Sequence, residues 1–588
     1  MCGLAVAITL DKDPNLIENM NFVLKHRGPD KTSTFKCIID NYYIHFGFHR
    51  LAITGSGDET NQPMVSASGQ YVLVFNGEIY NYKELREKIK KLGSVFISDS
   101  DSEVLIHGYE KIGIDILNLI DGMFSFILLD TFKGTIVAAR DRFGEKPLYY
   151  SATPNGEIFF ASEKKSIWQV SKLKYNIDLE FIGSTLLGSS PFQNENTNFN
   201  GIKQLEPGSF LEFKIGSNQI KRNKFWDPKF VTFFEKEFNF VENSYVLENL
   251  LFESVKSRIP PDHKYSLSLS GGIDSSLLAA LILKRTDKKF ENSFSVVFPN
   301  DNDVDESENI NLMAKMYDIK NIRVATSAKD AVESMRSMHW HHEDVVPGLS
   351  MYLEWSLMKT VSNFGYKIII SGQGADELIG GYSHIFPYFL SDNLWNKHIP
   401  TASKEFFFWV IKNYKNESLP SMLKQYISNL HKKYGFSDIF EKDLRYLSLP
   451  YNLHGGDRSS MAFGIEQRHP YLSNAIVDFC LTLPLNAFVN SGNTKPLLKK
   501  VGTKYLPKSI TNPDKKIGYA APDIEWMKDL LLRNWIIERI ESSLIKNIAG
   551  YDSVHMNSIY TGFKNGNRID SQILWKWASA VELIDIFG

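Results

Sequence analysis

Short apolar or alternating runs, separated by turn residues, fill roughly the first 200 positions of the chain. Two examples are Tyr71–Phe75, which ends at Asn76-Gly77, and Thr135–Ala139. Runs of this length bounded by turn residues are typical of strands, whereas the spacing of apolar positions in Tyr82–Leu92 predicts a helix. We therefore expect a β-rich first domain with a few helices, over residues 1–205.

The pattern changes after residue 205. Residues 206–241 show no clear period and contain the turn Pro207-Gly208, so we expect an irregular connection there. From residue 242 strands and helices alternate, with apolar runs at Tyr265–Leu269, Ser293–Phe298 and Lys367–Ile370 and helical patterns at Ser275–Lys284 and Glu306–Met316. This alternation predicts a second domain, residues 242–588, with a doubly wound parallel α/β sheet that binds ligands at the carboxyl ends of its strands.

Composition excludes several protein classes. The 588 residues are 43% hydrophobic and 23% charged, which is ordinary for a globular protein and argues against a collagen, a coiled-coil rod or a disordered chain. The net charge of −2 gives no reason to expect a nucleic acid partner. The apolar stretch Cys2–Leu10 is too short to cross a bilayer. We expect no membrane insertion.

The three cysteines are Cys2, Cys37 and Cys480. So few cysteines exclude a disulfide framework and favour a reducing compartment, so we expect a cytoplasmic protein. Cys2 has a second interpretation, because removal of Met1 would leave it with a free α-amine of pKa near ~8. That amine could accept the thiol proton and later return it. Otherwise, Cys2 is an ordinary buried residue of the first strand.

A thiol that cleaves an amide needs donors for the oxyanion and partners for the substrate. Asn76 and Gly77, placed just after a strand, could supply a side-chain NH₂ and a backbone N–H, although Asn-Gly is also a common hairpin turn. Arg50 could pair with an amino-acid carboxylate, while Glu78 and Asp101 could pair with the ammonium. Each of these charged residues could also be an ordinary solvated side chain.

Together these residues resemble the glutaminase domain of the class II, N-terminal-nucleophile glutamine amidotransferases. The matching blocks, in family order, are Met1-Cys2-Gly3, residues 26–30, 50–53, 76–81, 100–103, 121–124 and 140–144. The resemblance implies an Ntn-hydrolase-type αββα fold in which Cys2 attacks the glutamine amide while Asn76 and Gly77 hold the oxyanion. It also implies glutamine binding by Arg50, Leu51, Ile53, Asn76, Gly77, Glu78 and Asp101.

A Gly-rich loop follows the first predicted strand of the second domain: Ser270-Gly271-Gly272-Ile273-Asp274-Ser275-Ser276. Its glycines, hydroxyls and helix N-terminus can surround phosphate oxygens, although a serine-capped turn without a ligand has the same composition. No Gly-Lys-Ser/Thr follows, which favours cleavage between the α and β phosphates, as in adenylation. Asp274 could ligate Mg²⁺. Residues 371–378 form a second Gly-rich turn, with Asp376 as a second carboxylate.

The second domain resembles the synthetase domain of glutamine-dependent asparagine synthetases. Further blocks that carry this resemblance are residues 457–462, 466–472 and 516–519. It implies ATP contacts, beyond the loop residues named above, at Leu269, Val296, Ser371 and Gly372. It further implies Mg²⁺ at Asp274 and Asp376, and a Lys516 that stabilises charge during adenylation. The predicted enzyme hydrolyses glutamine and transfers ammonia to an adenylated carboxylate; a non-catalytic scaffold is the remote alternative.

Two positions depart from the family pattern. Gln373 stands where the asparagine-forming members have a glutamate that assists the attack of ammonia, and glutamine cannot act as a base. Either another group manages the proton and the acceptor is aspartate, or the acceptor is a different acid, such as a uronic acid derivative in surface-polysaccharide or sugar-nucleotide biosynthesis. Ser473, where aspartate is usual, is a milder departure. The candidate acceptor-site residues are Gln373, Asp376, Glu377, His342 and Glu343.

A polar cluster spans residues 339–344. Its histidines are His339, His341 and His342, and their spacing does not point three imidazoles at one ion, so we expect no zinc site. His342 and Glu343 are instead expected to line the acceptor side. The expected small-molecule partners are glutamine and a carboxylic acid, the cofactors ATP and Mg²⁺, and a homodimer is left open.

Overall fold

A computed structural model gives the structure of the protein. The residues it describes are 2–55, 57–170, 173, 176–230, 233, 238–299, 301, 304–395, 405–406, 420, 423–424, 427–428, 435–513 and 518–588.

The first part of the chain folds into two antiparallel sheets with flanking helices. Its strands are β1 (Cys2–Thr9), β2 (Lys31–Ile39), β3 (Tyr42–Arg50), β4 (Met64–Val65), β5 (Tyr71–Ile79), β6 (Gly122–Asp130), β7 (Thr135–Arg140), β8 (Tyr149–Ala152), β9 (Ile158–Ala161), β10 (Lys203–Gln204), β11 (Ser209–Lys214) and β12 (Ile220–Lys224). Its helices are α1 (Leu16–Phe22), α2 (Tyr82–Lys91), α3 (Asp101–Ile112), α4 (Lys164–Trp168) and α5 (Leu179–Leu186). The strand orders are β10-β8-β9-β1-β3-β2 and β12-β11-β7-β6-β5-β4.

Alternation along the strands places the two sheets face to face. In β1, Leu4, Val6 and Ile8 belong to the apolar core between the sheets, while Ala5 and Ala7 face the opposite side and pack with α1. The outer face of the second sheet packs against α2 and α3. Since side chains alternate between faces, both sheets bury both faces. The result is the predicted αββα arrangement, which is confirmed.

The prediction of an irregular connection was wrong for part of residues 206–241. β11 and β12 add to the edge of the second sheet next to β7, so the first unit continues to Lys224. Phe210 faces the outer core, and Leu211 and Phe213 are buried within the domain. β12 was missed because it is a mostly exposed edge strand with no apolar alternation.

The second part of the chain is built on a parallel sheet. Its strands are β13 (Ser266–Ser268), β14 (Ser293–Val296), β15 (Asn321–Val324), β16 (Ile368–Ile370) and β17 (Glu466–Arg468), followed by the hairpin β18 (Val489–Asn490) and β19 (Asn493–Thr494). Its helices are α6 (Phe240–Arg258), α7 (Ile273–Arg285), α8 (Ser307–Tyr317), α9 (Ala328–His342), α10 (Ser350–Asn363), α11 (Ala375–Ile379), α12 (Phe386–Trp395), α13 (Phe436–Arg445), α14 (Ser448–Met461), α15 (Asn474–Leu481), α16 (Pro496–Gly502), α17 (Lys508–Thr511), α18 (Asp523–Trp526), α19 (Leu530–Ile540), α20 (Ser553–Lys564) and α21 (Arg568–Phe587).

The strand order of this sheet is β15-β14-β13-β16-β17, with all neighbours parallel. The chain moves outward from β13 in one direction and then in the other, which is the doubly wound topology predicted from the sequence. Ile368 and Ile370 pack on one side of the sheet and Ile369 on the other. In such sheets ligands bind where the winding reverses, here at the loops that follow β13 and β16.

Among the helices of the described residues, none combines the length and the apolar character that crossing a bilayer requires.

Candidate active sites

Cys2 lies at the start of β1, in a central position of the first sheet. Its strand partner in β3 is Arg50, and its backbone N–H donates to Asn76 Oδ1 at 2.9 Å. Burial raises the pKa of the thiol above its ordinary value. A buried thiol therefore needs a nearby base to become a nucleophile, and the α-amine of Cys2 itself is the group that chemistry of this type would use.

Asn76 and Gly77 lie inside β5, so their expected place just after a strand was wrong. They pair with Ser125 and Phe124 of β6, and the ladder continues two residues further, to Ile79. A Cβ on Gly77 would lie 2.1 Å from the carbonyl oxygen of Met123, so only glycine fits. Because Asn76 Oδ1 accepts from Cys2, its Nδ2 remains the donor that could stabilise an oxyanion.

Two buried carboxylates lie near Asn76 and Gly77, Glu78 in β5 itself and Asp101 at the start of α3. Both oxygens of Glu78 accept hydrogen bonds from Thr54 Oγ1, at 2.8 and 2.9 Å, and Asp101 accepts from the backbone N–H of Ile79 at 2.9 Å. Burial raises the pKa of Glu78 to about 8, with Arg468 opposing the shift. Burial also raises the pKa of Asp101 to about 6. The charge of Asp101 also contributes to the raised pKa of Glu78. A bound ammonium would offset the repulsion between these two carboxylates.

The other predicted glutamine-binding residues lie in the same region. Arg50 donates to Asn61 Oδ1 at 3.0 Å and to the carbonyl of Gly55 at 2.7 Å, and Leu51 and Ile53 are buried. A cavity of about 510 Å³ opens beside Glu78. Its walls come from both units, with Thr54, Glu78, Tyr80 and Tyr82 on one side and Phe252, Lys256, Arg285 and Arg468 on the other.

The loop after β13 forms a cradle of donors. The backbone N–H of Ser270 donates to Ser275 Oγ at 3.1 Å, and that of Gly272 donates to Ser270 Oγ at 3.3 Å. Gly271 has a φ of +85°, which favours glycine. α7 begins at Ile273, so the second half of this segment forms the first turn of the helix. Ser276, in the first turn of α7, is buried. A helix N-terminus behind such a loop is suited to phosphate oxygens.

Two carboxylates and one lysine meet at the same edge of the sheet. Lys495 Nζ lies 2.7 Å from both oxygens of Asp274 and 2.8 Å from Asp376 Oδ1. Burial would lower the pKa of Lys495, but the two carboxylates outweigh it and hold the pKa above its ordinary value. Carboxylates that converge on one cation also fit Mg²⁺, which takes oxygen ligands.

Lys495 was not among the residues predicted from the sequence. Lys516 was predicted for the charge-stabilising role, but it lies outside the described residues. Lys495 lies between the β18–β19 hairpin and Pro496, the first residue of α16, and its φ is +53°. A lysine immediately before a helix that begins with proline gives little indication of a functional site. Its two partners are more than 100 residues away in the sequence.

The remaining residues expected to contact ATP lie at the carboxyl ends of the central strands. Leu269 directly follows β13 and Val296 ends β14. Ser371 follows β16, and its N–H donates to the carbonyl of Arg468 at 3.0 Å. A Cβ on Gly372 would lie 3.1 Å from the backbone nitrogen of Ser275. The two Gly-rich turns therefore lie directly against each other.

The expected acceptor residues divide into two groups. Gln373 lies in the second Gly-rich turn, and Glu377 follows Asp376 in α11. Glu377 accepts from Tyr382 Oη at 2.8 Å and from Asn452 Nδ2 at 3.1 Å. Burial, followed by the charge of Asp376, raises the pKa of Glu377 to about 7. Glu377 is thus a carboxyl group that can exchange a proton near neutral pH.

His342 and Glu343 lie elsewhere, at the boundary between the two units. Glu343 is fully buried and accepts from the backbone N–H groups of Lys164 and Lys165, at 2.9 and 2.6 Å, at the start of α4. His342 Nε2 lies 3.1 Å from Ser459 Oγ. The structure therefore does not bring these two residues together with Gln373, because Glu343 is used to join the units.

Comparison with known proteins matches both units. Residues 1–226 match a family model described as glutamine amidotransferase domain, and residues 246–585 match one described as asparagine synthase. The chain is 29% identical to the glutamine-hydrolyzing asparagine synthetase 1 of Bacillus subtilis, with 92% of this chain and 90% of that protein covered. It is 26% identical to asparagine synthetase 2 of the same organism (90% and 73% covered) and 24% identical to the amidase chry2 of Gibberella zeae (94% and 93%).

Proposed function

Because this chain belongs to the asparagine synthase family and is a glutamine-dependent carbon–nitrogen ligase, we propose that it releases ammonia from glutamine at Cys2 and transfers it to a carboxylate activated by ATP. The products are glutamate, an amide, AMP and pyrophosphate. The observation that carries this proposal is the meeting of Asp274, Asp376 and Lys495 beside a phosphate-binding loop, in a chain whose other unit presents a buried N-terminal thiol.

In the first reaction the Cys2 thiol attacks the side-chain amide of glutamine. With Met1 removed, the α-amine of Cys2 takes the thiol proton and returns it to the leaving ammonia. Asn76 Nδ2 and the N–H of Gly77 stabilise the oxyanion. Glu78 and Asp101 bind the substrate ammonium, and Arg50 binds its carboxylate. Water then hydrolyses the thioester and releases glutamate.

In the second reaction the acceptor carboxylate attacks the α-phosphate of ATP. The loop Ser270–Ser276 binds the phosphates, and Lys495 neutralises charge as it develops on them. Asp274 and Asp376 would hold Mg²⁺, which would offset the negative charge of the phosphates. Ammonia then displaces AMP from the acyl-adenylate and leaves the amide.

For the acceptor we propose aspartate, which makes the product asparagine. Sequence similarity to asparagine synthetases along most of the chain supports this choice. Gln373 favours a second candidate, the amidation of a different carboxylic acid such as a uronic acid derivative, because it removes a carboxylate from the acceptor side. Under the first candidate, Glu377, whose pKa lies near neutral pH, could accept the ammonium proton.

A product assay separates these candidates. The purified enzyme, ATP, Mg²⁺ and glutamine are incubated with aspartate, free uronates or nucleotide-linked uronates, and pyrophosphate release and product mass are measured. Aspartate-dependent asparagine formation supports the first candidate, and amide formation from a uronate alone supports the second. Glutamate release with no amide from any carboxylic acid would contradict the ligase reaction as proposed.

A further inference from the structure

The backbone carbonyl of Cys2 has a partner outside its own sheet. Arg27 Nε donates to this oxygen at 3.2 Å. Arg27 ends the short 3₁₀ turn Lys25–Arg27 that follows α1, and its side chain is fully buried. The orientation of the guanidinium therefore affects the orientation of the peptide that follows Cys2.

The guanidinium is held from the other unit. Asp457, in α14 of the synthetase unit, accepts from Arg27 Nη1 at 2.9 Å and from Nη2 at 3.1 Å. This is a bidentate pair, the geometry that fixes a guanidinium most firmly. The side chains of Arg27 and Asp457 are 0% and 3% exposed, so water does not replace either contact.

Both carboxylates that pair with Arg27 also lie near other basic side chains, and for Asp457 this is Lys146, whose Nζ lies 3.7 Å from Oδ1. Glu163 Oε1 accepts from Arg27 Nη1 at 2.9 Å, but it also lies 3.1 Å from Arg458 Nη1 and 3.0 Å from His26 Nε2. Lys165 Nζ contacts the other oxygen of Glu163. Asp457 is thus the carboxylate that meets Arg27 with two parallel hydrogen bonds.

An N-terminal nucleophile has particular need of such support. With Met1 removed, no preceding peptide restrains Cys2, and its α-amine must face its own thiol while the substrate is bound. Fixing the carbonyl oxygen fixes the rotation about the Cα–C bond, which helps to define where the amine and the thiol lie. A displacement of about 1 Å in a reacting group can cost on the order of 100-fold in rate.

We propose that Asp457 of the synthetase unit is a positioning residue for the glutaminase reaction: it holds Arg27, which holds the carbonyl of Cys2. This inference rests on the proposed role of Cys2. In a chain with this arrangement, the glutaminase unit acquires its full activity only when docked on the synthetase unit.

Two other pairs between the units provide matched controls. Arg142 Nη1 lies 3.1 Å from Asp478 Oδ1, and the Asp478 side chain is 61% exposed. Lys164 Nζ lies 2.6 Å from Asp344 Oδ2, and Lys164 is buried. Both pairs join an aspartate of the synthetase unit to a cation of the glutaminase unit, and in neither does the structure place a contact with Cys2.

The test is Asp457→Asn in the full chain, assayed by glutamate release from glutamine. Asparagine keeps the shape but turns an N–H group toward one Arg27 nitrogen, which breaks the bidentate pair. We expect kcat to fall roughly 10- to 100-fold while KM for glutamine stays within about threefold, because Asp457 touches none of the predicted glutamine-binding residues in the structure. Asp344→Asn and Asp478→Asn should each retain kcat within about threefold.

The pH profile of kcat provides a readout that a simple loss of stability would not change. If Asp457 positions the amine, Asp457→Asn should shift the part of the pH profile that reports the titration of that amine. The two control variants should not shift it. Should Asp457→Asn fail to give folded protein, Asp457→Glu keeps the charge but displaces it by one methylene, and the same fall in kcat with unchanged KM is expected. Unchanged kcat in a folded Asp457 variant, or an equal fall in Asp344→Asn, would overturn the proposal.

Cys2→Ala distinguishes this inference from the proposed function on which it rests. If Cys2→Ala still releases glutamate, the assignment of the nucleophile fails. If Cys2→Ala is inactive and both Asp457 variants retain full activity, only the positioning role fails.

Discussion

At the scale of single residues, we expect the use of glutamine to depend on Cys2. Replacement by alanine removes the thiol that lies beside Asn76, so we expect glutamine-dependent amide formation to fall roughly 1,000-fold or more. Product formation from added ammonium chloride should persist, because the ATP site is built from other residues. Both are measured as AMP formation with the acceptor identified in the product assay.

The control for this variant is Cys37→Ala, which changes a half-buried thiol in β2. It should retain both activities. Loss of the ammonium-dependent activity in Cys2→Ala would contradict the independence of the two reactions.

Glu78 gives a prediction about pH at the same scale. Its pKa is raised to about 8 by burial, so below pH 8 the ligand-free group is increasingly protonated and neutral. A neutral carboxyl cannot pair with an ammonium, so glutamine affinity should weaken as the pH falls, by up to about tenfold per unit. Equilibrium binding of glutamine to Cys2→Ala measures this without catalysis. A dissociation constant that stays flat between pH 6 and 8.5 would refute the assignment.

At the scale of elements, the period of the apolar residues predicted secondary structure better than local motifs did. The helix expected at Tyr82–Leu92 is observed at Tyr82–Lys91, because an amphipathic face is determined by the sequence itself. Asn76-Gly77 was expected after a strand, yet β5 continues through it, because pairing with β6 outweighs the local preference of Asn-Gly for turns. Such pairing depends on a strand almost 50 residues away, which the dipeptide does not encode.

The candidate sites show the same division between local and distant information. The loop Ser270–Ser276 could be recognised because its donors are contiguous in the sequence. Lys495 and the docking role of Glu343 could not, since their partners, Asp274 and the start of α4, lie far along the chain. When the role of a side chain depends on such distant neighbours, the spacing of residues in the sequence does not reveal it.

Gly77 provides the prediction at this scale. In Gly77→Ala the added Cβ would meet the carbonyl oxygen of Met123 at 2.1 Å, so β5 and β6 must separate locally. We expect the free energy of unfolding to fall by about 1–3 kcal/mol and glutaminase kcat to fall with it, because the oxyanion donors move. Urea unfolding and glutamate release are the measurements. Gly348→Ala is the control, since a Cβ there meets no atom within 4 Å, and equal effects of the two variants would refute the argument.

At the scale of the whole molecule, the two proposals assign different residues of the synthetase unit to the two reactions. Asp274 faces Lys495 and the phosphate-binding loop, whereas Asp457 faces Arg27 beneath Cys2. We therefore expect Asp274→Asn to lower ATP-dependent pyrophosphate release by roughly 100-fold or more, while glutamate release stays within about threefold of the unaltered protein. Asp457→Asn should give the opposite result, since it disturbs the nucleophile and leaves the carboxylates around Lys495 in place.

Comparing Asp274→Asn with Asp457→Asn separates an effect on the ATP-dependent reaction from an effect on the contact between the two units. Both remove one negative charge from the same unit, so a general effect of charge or stability would lower both activities in both proteins. Glu308→Gln, which changes an exposed carboxylate in α8, should lower neither. A fall of glutamate release in Asp274→Asn would mean that the ATP site controls the glutaminase site directly. In that case the two reactions would be coupled through the phosphate-binding loop as well as through the Arg27–Asp457 contact.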